Sequence, residues 1–179
     1  MSSNNSAVSN PSRCRQNFSE SCEKAINEQI NMELKASYVY QAMSAHFAHD
    51  SVALPGFSSH FRKEAEEERS HALKFVDYLN KRGGCVRFTD ISAPSGNWKS
   101  AREALESALN LEKEVNTSLL KLHNLADESG DPHLADFIEE EFLDDQVESL
   151  KEIADMITQL DRCGNDGLGL YLFDQKLSS

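Results

Sequence analysis

Four long segments of the chain carry apolar residues at alternating spacings of three and four. This spacing places the side chains on one face of an α-helix, and a single apolar face indicates burial against other helices. The segments run from Ser19 to Phe47, Leu54 to Arg82, Ser100 to Ser129 and Pro132 to Cys163. Glycines and prolines are few and fall mostly at the segment ends or between segments. We therefore predict four helices with one buried face each.

Helices of nearly equal length predict an all-α four-helix bundle. The links within the first and second pairs of segments are short, so each pair is predicted to be an antiparallel hairpin. The link between the second and third segments has about seventeen residues. Extended chain covers about 3.3 Å per residue, so this link can cross the whole bundle. The final stretch "LGLYLFDQKL", after Gly167, predicts a short fifth helix.

One polar residue interrupts each apolar stripe near the middle of its segment. These residues are Glu33, Glu68, Glu112 and Gln146. Their depths are similar from either end of each helix, so we expect them to converge in the core whichever way the helices run. Three carboxylates in one desolvated layer repel one another, and burying a charge without compensation is costly. Protonation, a basic side chain or a metal must compensate the charge.

A metal is the compensation that this layer favours, because His71 stands one turn after Glu68 and no Lys or Arg occupies the stripes at that depth. Carboxylate oxygens with one imidazole suit iron or manganese, while zinc stays open. Two divalent ions balance three carboxylates better than one does. Glu68, adjacent to Glu67, is the predicted bridging ligand. Taken alone, "EEERSHALKF" would instead indicate an exposed charged helix face with an incidental histidine.

The charge of the chain excludes several partners. Thirty acidic residues against eighteen Lys and Arg give a formal net charge of -12. Such a surface repels phosphate, so we expect neither nucleic acid nor an anionic membrane as a partner. Cations are the expected small partners.

Neither the hydropathy of the chain, nor its first residues, nor its cysteines predict secretion. No apolar run is long enough to span a membrane, and the first residues lack the pattern of a signal peptide. We therefore expect a cytoplasmic protein. Residues 1–17 are rich in Ser and Asn and predict a disordered extension, with a transit peptide as the alternative. The four cysteines show no C-x-x-C pair and are expected to be reduced thiols; they are Cys14, Cys22, Cys85 and Cys163.

The polar layer and its surroundings resemble ferritin, specifically the heavy-chain type that oxidises iron. The matching stretches are "NMELKASYVYQ", "EEERSHALKF", "LNLEKEVN", "DPHLADFIEEEF" and "LDDQVESLKE". Glutamates with a Glu-x-x-His motif in a helical bundle are an established signature of ferritin-like di-iron proteins. The resemblance covers about residues 15–177 and implies one ferritin-like di-iron domain over residues 18–179.

The resemblance also implies a function and a set of site residues. Glu33, Glu68 and His71 would hold one iron. Glu68 and Glu112 would hold the second, with Gln146 completing the ligand set and Tyr40 and Glu67 supporting it. Ferrous iron would be oxidised by dioxygen there and stored as ferric mineral inside a shell of twenty-four subunits. The shell would consist of this chain alone or of this chain with other ferritin subunits.

Two further pairs of residues gain a role from the resemblance. Asp136 and Glu139 would line the channels through which ferrous ions pass into the shell, although carboxylates in the first turns of a helix also stabilise its dipole. Glu64 and Glu67 would face the cavity and help nucleate the mineral, with a solvated surface as the alternative.

Two other classes of protein stay open at this stage. A di-iron redox enzyme acting on an organic substrate or peroxide would use the same ligands, but it would need a substrate pocket and no shell. The single Glu-x-x-His argues against it, because symmetric di-iron enzymes carry two. A metal-free helical interaction protein would explain the bundle but not the polar layer.

Overall fold

The computed structural model describes residues 12–178 and shows a bundle of long helices. The elements are α1 (Glu20–Ala48), α2 (Pro55–Arg82), α3 (Ala101–Glu128), α4 (Pro132–Ile138), a π-helical turn (Glu139–Leu143), α5 (Asp144–Cys163) and α6 (Gly167–Leu177). The predicted four-helix bundle with a short fifth helix is confirmed. Most of the predicted extension, residues 1–11, lies outside the described residues, so its disorder stays a prediction.

The helix ends follow from local sequence signals. The hydroxyls of Ser19 and Ser100 each accept the backbone N–H three residues later, at 3.1 Å. The Glu103 side chain accepts the N–H of Lys99 at 2.6 Å, which completes a variant of the capping box predicted at "SARE". Gly83, with a φ of 74°, terminates α2 in the left-handed conformation that glycine adopts without strain.

Side-chain contacts establish the directions of the helices. Residue numbers rise along one helix while they fall along its partner. The pairs are Ser37 with Ala65 and Ser44 with Ser58 between α1 and α2, and Arg102 with Asp161 and Glu112 with Gln146 between α3 and α5. Both predicted hairpins are therefore antiparallel.

The long linker between α2 and α3 runs beside α1 for most of its length. Near the start of α1, the Glu23 side chain accepts the N–H of Cys85 at 2.9 Å. Near the end of α1, the ring of His46 lies 5.6 Å from that of Trp98. Because the linker passes from one end of the bundle to the other, α2 and α3 are parallel. The predicted crossover is confirmed.

The core lies where the predicted apolar stripes meet. Large side chains such as Phe47, Phe61 and Phe75 are fully buried. All four cysteines are free thiols, and Cys22 alone among them is buried. Within the described part of the chain, no helix combines the length and the apolar character that a membrane crossing demands.

The π-helical turn interrupts what the sequence pattern predicted as one continuous helix from Pro132 to Cys163. Its cause is visible in the stripe, since Leu134, Ile138, Phe142 and Gln146 are spaced by four each time. Each such spacing exceeds one helical turn of 3.6 residues by about 0.4 residue. Three spacings together therefore exceed three turns by about one residue. A π-helical turn absorbs one extra residue. As a result, Phe142 and Gln146 are both buried.

The first turn of α2 is capped by a residue from the other end of the chain. Leu54, at the N-cap position, supplies no side-chain bond. Instead, the N–H of Phe57 donates to the Asp174 carboxylate of α6 at 2.9 Å. Helix α6 packs directly against the backbone of α2 at Gly56, where a Cβ atom would fall 1.9 Å from the carbonyl oxygen of Asp174. The fifth helix is thereby attached to the bundle.

Replacing Asp174 tests this long-range cap. We expect Asp174→Ala to cost about 0.5–2 kcal/mol, the usual cost of losing a helix cap, and Asp174→Asn to cost less because its amide oxygen still accepts. Faster hydrogen exchange at the start of α2, measured by mass spectrometry, reports the loss. Asp166→Ala is the matched control, since Asp166 makes no side-chain capping bond to α6. Equal exchange in the Asp174→Ala and Asp166→Ala proteins would contradict the cap.

Candidate metal centre

Each of the long helices contributes to one polar cluster in the core. The members are Glu33 from α1, Glu68 and His71 from α2, Glu112 from α3 and Gln146 from α5. None of these side chains belongs to a residue more than 7% exposed. The structure thus brings together the residues that interrupt the four apolar stripes.

Three members of the cluster form a preorganised ligand set. Ligand atoms of Glu33, Glu68 and His71 all lie within 4.8 Å of one another. The Nδ1 atom of His71 lies 3.7 Å from Oε2 of Glu68, one helical turn away. This separation leaves room for an ion between them. Two carboxylates and one imidazole form a donor set that suits iron.

Glu112 is held from two sides by uncharged donors. The hydroxyl of Tyr40 donates to its Oε1 atom, and Nε2 of Gln146 donates to its Oε2 atom at 3.0 Å. Each carboxylate oxygen has a second lone pair, so Glu112 can still bind a cation. Tyr40 and Gln146 therefore orient this carboxylate within the cluster.

Several polar atoms of the cluster are buried and lack hydrogen-bond partners. They are Oε2 of Glu33, Oε2 of Glu68 and Oε1 of Gln146. A buried polar atom left unpaired costs about 1–3 kcal/mol, and more when it is charged. Within residues 12–178, no Lys or Arg forms an ion pair with these carboxylates. The cluster accordingly fits bound cations, which would provide partners for these oxygens.

Burial raises the proton affinity of the carboxylates. Burial and the neighbouring charge of Glu68 raise the pKa of Glu33 well above its ordinary value. Burial, with the charge of Glu112 as the next cause, raises the pKa of Glu68 to about 8. A site that holds protons this tightly in the absence of metal is one whose charge a divalent ion can neutralise instead.

Comparison with known proteins identifies the fold around this cluster. The model of the ferritin-like domain matches residues 23–163. The chain belongs to the ferritin family. The matched range contains all the residues of the cluster, and the predicted resemblance to ferritin is confirmed.

Curated relatives from this family are similar over nearly the whole chain. The chain is 52% identical over 163 residues to the ferritin heavy chain of Echinococcus granulosus, covering 90% of this chain and 94% of that protein. It is 51% identical over 166 residues to the ferritin-1 heavy chain of Schistosoma mansoni, covering 92% and 95%. It is 51% identical over 169 residues to the soma ferritin of Lymnaea stagnalis, covering 94% and 97%.

Two residues next to this ferritin cluster were missed by the sequence analysis. Gln29 donates from Nε2 to Oε1 of Glu33 at 2.7 Å. Asp145 lies 4.0 Å from Nε2 of His71, on the side of the ring opposite to Glu68. Sequence spacing offered a signal for both, since Gln29 stands one turn before Glu33 and Asp145 precedes Gln146. A carboxylate beside the distal nitrogen is a common way to orient a metal-binding histidine.

Aromatic rings close the cluster towards the α4 end of the bundle. The ring of Phe142, within the π-helical turn, lies 5.5 Å from that of His71 in an edge-on arrangement. Phe142 also stacks on Phe75 at 4.3 Å. These rings exclude water from one side of His71. The cluster is therefore shielded from solvent on this side.

Glu64 and Glu67 lie on α2 near the cluster but outside it. Burial, with the charge of Glu67 as the next cause, raises the pKa of Glu64 to about 7. The Glu64 carboxylate lies 3.6 Å from Nδ1 of His60. Glu67 is exposed. Their roles in supporting the site and nucleating mineral stay predictions.

Asp136 and Glu139 are both exposed near the start of the fourth long helix, which consists of α4, the π-helical turn and α5. Glu139 lies 2.6 Å from Nε2 of His123 on α3. Nearby, the hydroxyl of Tyr78 lies 3.2 Å from Nδ1 of His133. The exposure of Asp136 and Glu139 is compatible with a channel between subunits, and their assignment to that channel stays a prediction.

We expect the metal-free protein to lose stability as the pH rises from about 5 to about 8. The pKa of Glu68 is about 8 in the folded protein and 4.5 ordinarily, so the folded state retains a proton that the unfolded chain releases across this window. One such group changes the free energy of unfolding by at most about 1.4 kcal/mol per pH unit. Urea unfolding in the presence of a chelator measures the slope.

The matched comparison for this pH dependence is Glu68→Gln, which keeps the shape of the side chain and removes its titration. Burial lowers the pKa of His60, so this residue makes stability rise with pH. Its contribution is the same in both proteins and cancels when their pH profiles are subtracted. Stability should fall more steeply in the wild-type protein than in the variant, and added Zn²⁺ should remove most of the difference. Parallel pH profiles would contradict the raised pKa of Glu68.

Proposed function

We propose that this protein stores iron and oxidises ferrous iron with dioxygen at a two-iron centre inside each subunit. The observation that carries the proposal is the ligand set of Glu33, Glu68 and His71, whose ligand atoms lie within 4.8 Å of one another in a buried position. Membership of the ferritin family and the heavy-chain names of two relatives support it.

The proposed roles follow from the position of each carboxylate. Glu33, Glu68 and His71 bind the first ferrous ion. Glu68 binds the second as well, because its pKa responds both to the charge of Glu112 and to a hydrogen bond with Glu33, which indicates that both carboxyl groups lie close to it. Glu112 and Gln146 complete the second position. Glu68 is therefore the bridging ligand.

The same ligands favour oxidation of their substrate. Hard anionic oxygens stabilise Fe(III) more than Fe(II), because the higher charge gains more from them. Each ferrous ion gives one electron, and dioxygen accepts the electrons. The second position has a neutral amide where the first has an imidazole, so it binds its ion less tightly. Ferric product can therefore leave towards the cavity.

The remaining assignments concern the assembled shell. We propose that twenty-four subunits, of this chain alone or with other ferritin subunits, enclose the mineral in the cytoplasm. Asp136 and Glu139 line the channels into the shell, where their negative charge attracts ferrous ions. Glu64 and Glu67 receive ferric ions on the cavity side and help nucleate the mineral, and Glu67 adds negative charge beside Glu68. Elution as a particle of several hundred kilodaltons tests the shell.

The alternative of a di-iron enzyme for organic substrates receives no support from the geometry. Its substrate would need a cavity beside the ions, whereas the cluster residues are at most 7% exposed. A surface cleft of about 850 Å³ between α2, α5 and α6 is lined by His60, Val147 and Phe173 among others, and by none of the cluster residues. Ferrous ions and dioxygen are small enough to reach a buried site.

Removing a ligand tests the site directly. We expect Glu68→Ala and His71→Ala to lower ferrous oxidation to the rate of iron in protein-free buffer, because both remove a ligand of the first ion. Stopped-flow absorbance of the ferric product measures the rate, and size-exclusion chromatography checks that assembly is intact. Glu66→Ala is the matched control, since Glu66 is an exposed neighbour on α2. Wild-type rates in either ligand variant would refute the site.

Removing charge at the proposed channel should slow the supply of iron without changing the chemistry. For Asp136→Asn combined with Glu139→Gln, we expect the initial oxidation rate to fall several-fold at low ferrous concentration and to recover at saturation. Steady-state kinetics separates these effects. Glu66→Gln combined with Asp90→Asn removes the same charge from other exposed positions and should leave both regimes unchanged. A lowered rate at saturating iron, or an unchanged rate at low iron, would count against the channel.

A further inference from the structure

A buried amide connects the candidate metal centre to a hydroxyl on another helix. Gln29, on α1, is 0% exposed and lies one turn before Glu33. Its Nε2 atom donates to Oε1 of Glu33 at 2.7 Å. Its Oε1 atom accepts from the hydroxyl of Ser118 on α3. The three side chains form a continuous line of hydrogen bonds from α3 to the cluster.

The direction of this line follows from the chemistry of its end groups. The structure turns the NH₂ group of Gln29 towards Glu33, and this orientation suits the metal-bound state, in which the ionised carboxylate can only accept hydrogen bonds. The carbonyl of the amide then faces Ser118, whose hydroxyl can rotate to donate. Each bond polarises the next, so the donor at Ser118 strengthens the bond to Glu33.

The line of bonds distinguishes the two oxygens of Glu33. Oε1 is occupied by the N–H of Gln29. Oε2 is buried and has no hydrogen-bond partner. The carboxylate belongs to the same ligand set as Glu68 and His71. A fixed bond to one oxygen restrains rotation of the carboxylate and leaves the other oxygen available to a cation.

We propose that Gln29 and Ser118 are positioning residues that hold Glu33 ready to bind the first ferrous ion through Oε2 alone. The inference rests on the proposed function, because it needs Glu33 to be a ligand. Neither residue touches the ion. Their effect is to remove the rotational freedom that Glu33 would otherwise lose on binding, which raises the affinity of one position of the centre.

A purely structural role explains this arrangement less well. Position 29 is fully buried on α1, where an apolar side chain would pack without any hydrogen bond. A buried amide is tolerated only when both of its ends are paired. The two ends of the Gln29 amide are paired with the carboxylate of Glu33 and the hydroxyl of Ser118. The amide therefore orients a ligand of the cluster.

Cobalt titration without oxygen tests the proposal. Co²⁺ serves as the probe because it does not react as ferrous iron does and its visible spectrum reports coordination. We expect the wild-type protein to bind two Co²⁺ per subunit. Ser118→Ala removes the hydrogen bond that holds Gln29, the direct partner of the ligand Glu33. In this variant one of the two ions should bind about 10-fold more weakly, the lower end of the effect of losing an outer partner, with an altered spectrum. The other should be unaffected.

Two further variants separate positioning from stability. Ser118→Thr keeps the hydroxyl and should restore wild-type affinity and spectrum. Thr117→Ala removes a hydroxyl from the preceding residue of α3, which is exposed and donates to the carbonyl of Lys113, and this variant should change neither the affinity nor the spectrum. Thermal unfolding of each metal-free variant checks the fold. A general loss of stability would weaken the binding of both ions, whereas a loss of positioning would weaken the binding of one.

The outcomes distinguish this inference from the function on which it rests. Wild-type protein that binds no Co²⁺ would overturn both. Two ions in the wild-type protein with unchanged affinity and spectrum in Ser118→Ala would overturn the positioning role and leave the metal centre standing. Failure of Ser118→Thr to restore the affinity would equally overturn it, because the hydroxyl would then not be the group that acts.

Discussion

Three carboxylates buried in one layer of an apolar core are the constraint on which this structure depends. Glu33, Glu68 and Glu112 are each at most 4% exposed, and desolvation, followed by the charge of Glu112, raises the pKa of Glu68 to about 8. Such a layer costs free energy unless protons or cations neutralise it. Glu33 and Glu68 each have a buried oxygen without a hydrogen-bond partner, and their carboxylates belong to one group of ligand atoms within 4.8 Å of one another. We interpret the bundle as a frame that keeps this unfavourable arrangement intact until ions bind.

The frame has features that serve this purpose. Long antiparallel helices bring residues from the middle of each helix to a common depth, far from solvent at either end. The π-helical turn corrects the register of the fourth long helix, so that Phe142 covers His71 and Gln146 reaches Glu112. Gln29 and Tyr40 each bind one oxygen of a different carboxylate. Packing, helix register and hydrogen bonds thus act together on the geometry of the centre.

Sequence periodicity was sufficient to predict the helices and the convergence of the polar layer, and the lengths of the links were sufficient to predict the helix directions. It worked because a polar residue at the midpoint of an apolar stripe has nowhere to lie except the core. Periodicity was insufficient for the π-helical turn, whose only signal was the repeated spacing of four from Leu134 to Gln146. It also missed Gln29 and Asp145, because their spacing makes a contact with the cluster possible, whereas the side-chain rotamers that decide whether the contact forms are not specified by a linear pattern. The cap from Asp174 to α2 was missed for the same reason, since 117 residues separate the partners.

Anomalous diffraction from crystals soaked in ferrous salt without oxygen is the most direct test of the central claim. The account requires two iron peaks in the core of each subunit, one among Glu33, Glu68 and His71 and one between Glu68 and Glu112. It also requires Oε2 of Glu33 to be the oxygen nearest the first peak. Crystals in which these carboxylates bind no iron, while iron collects only on the exposed acidic surface, would contradict it.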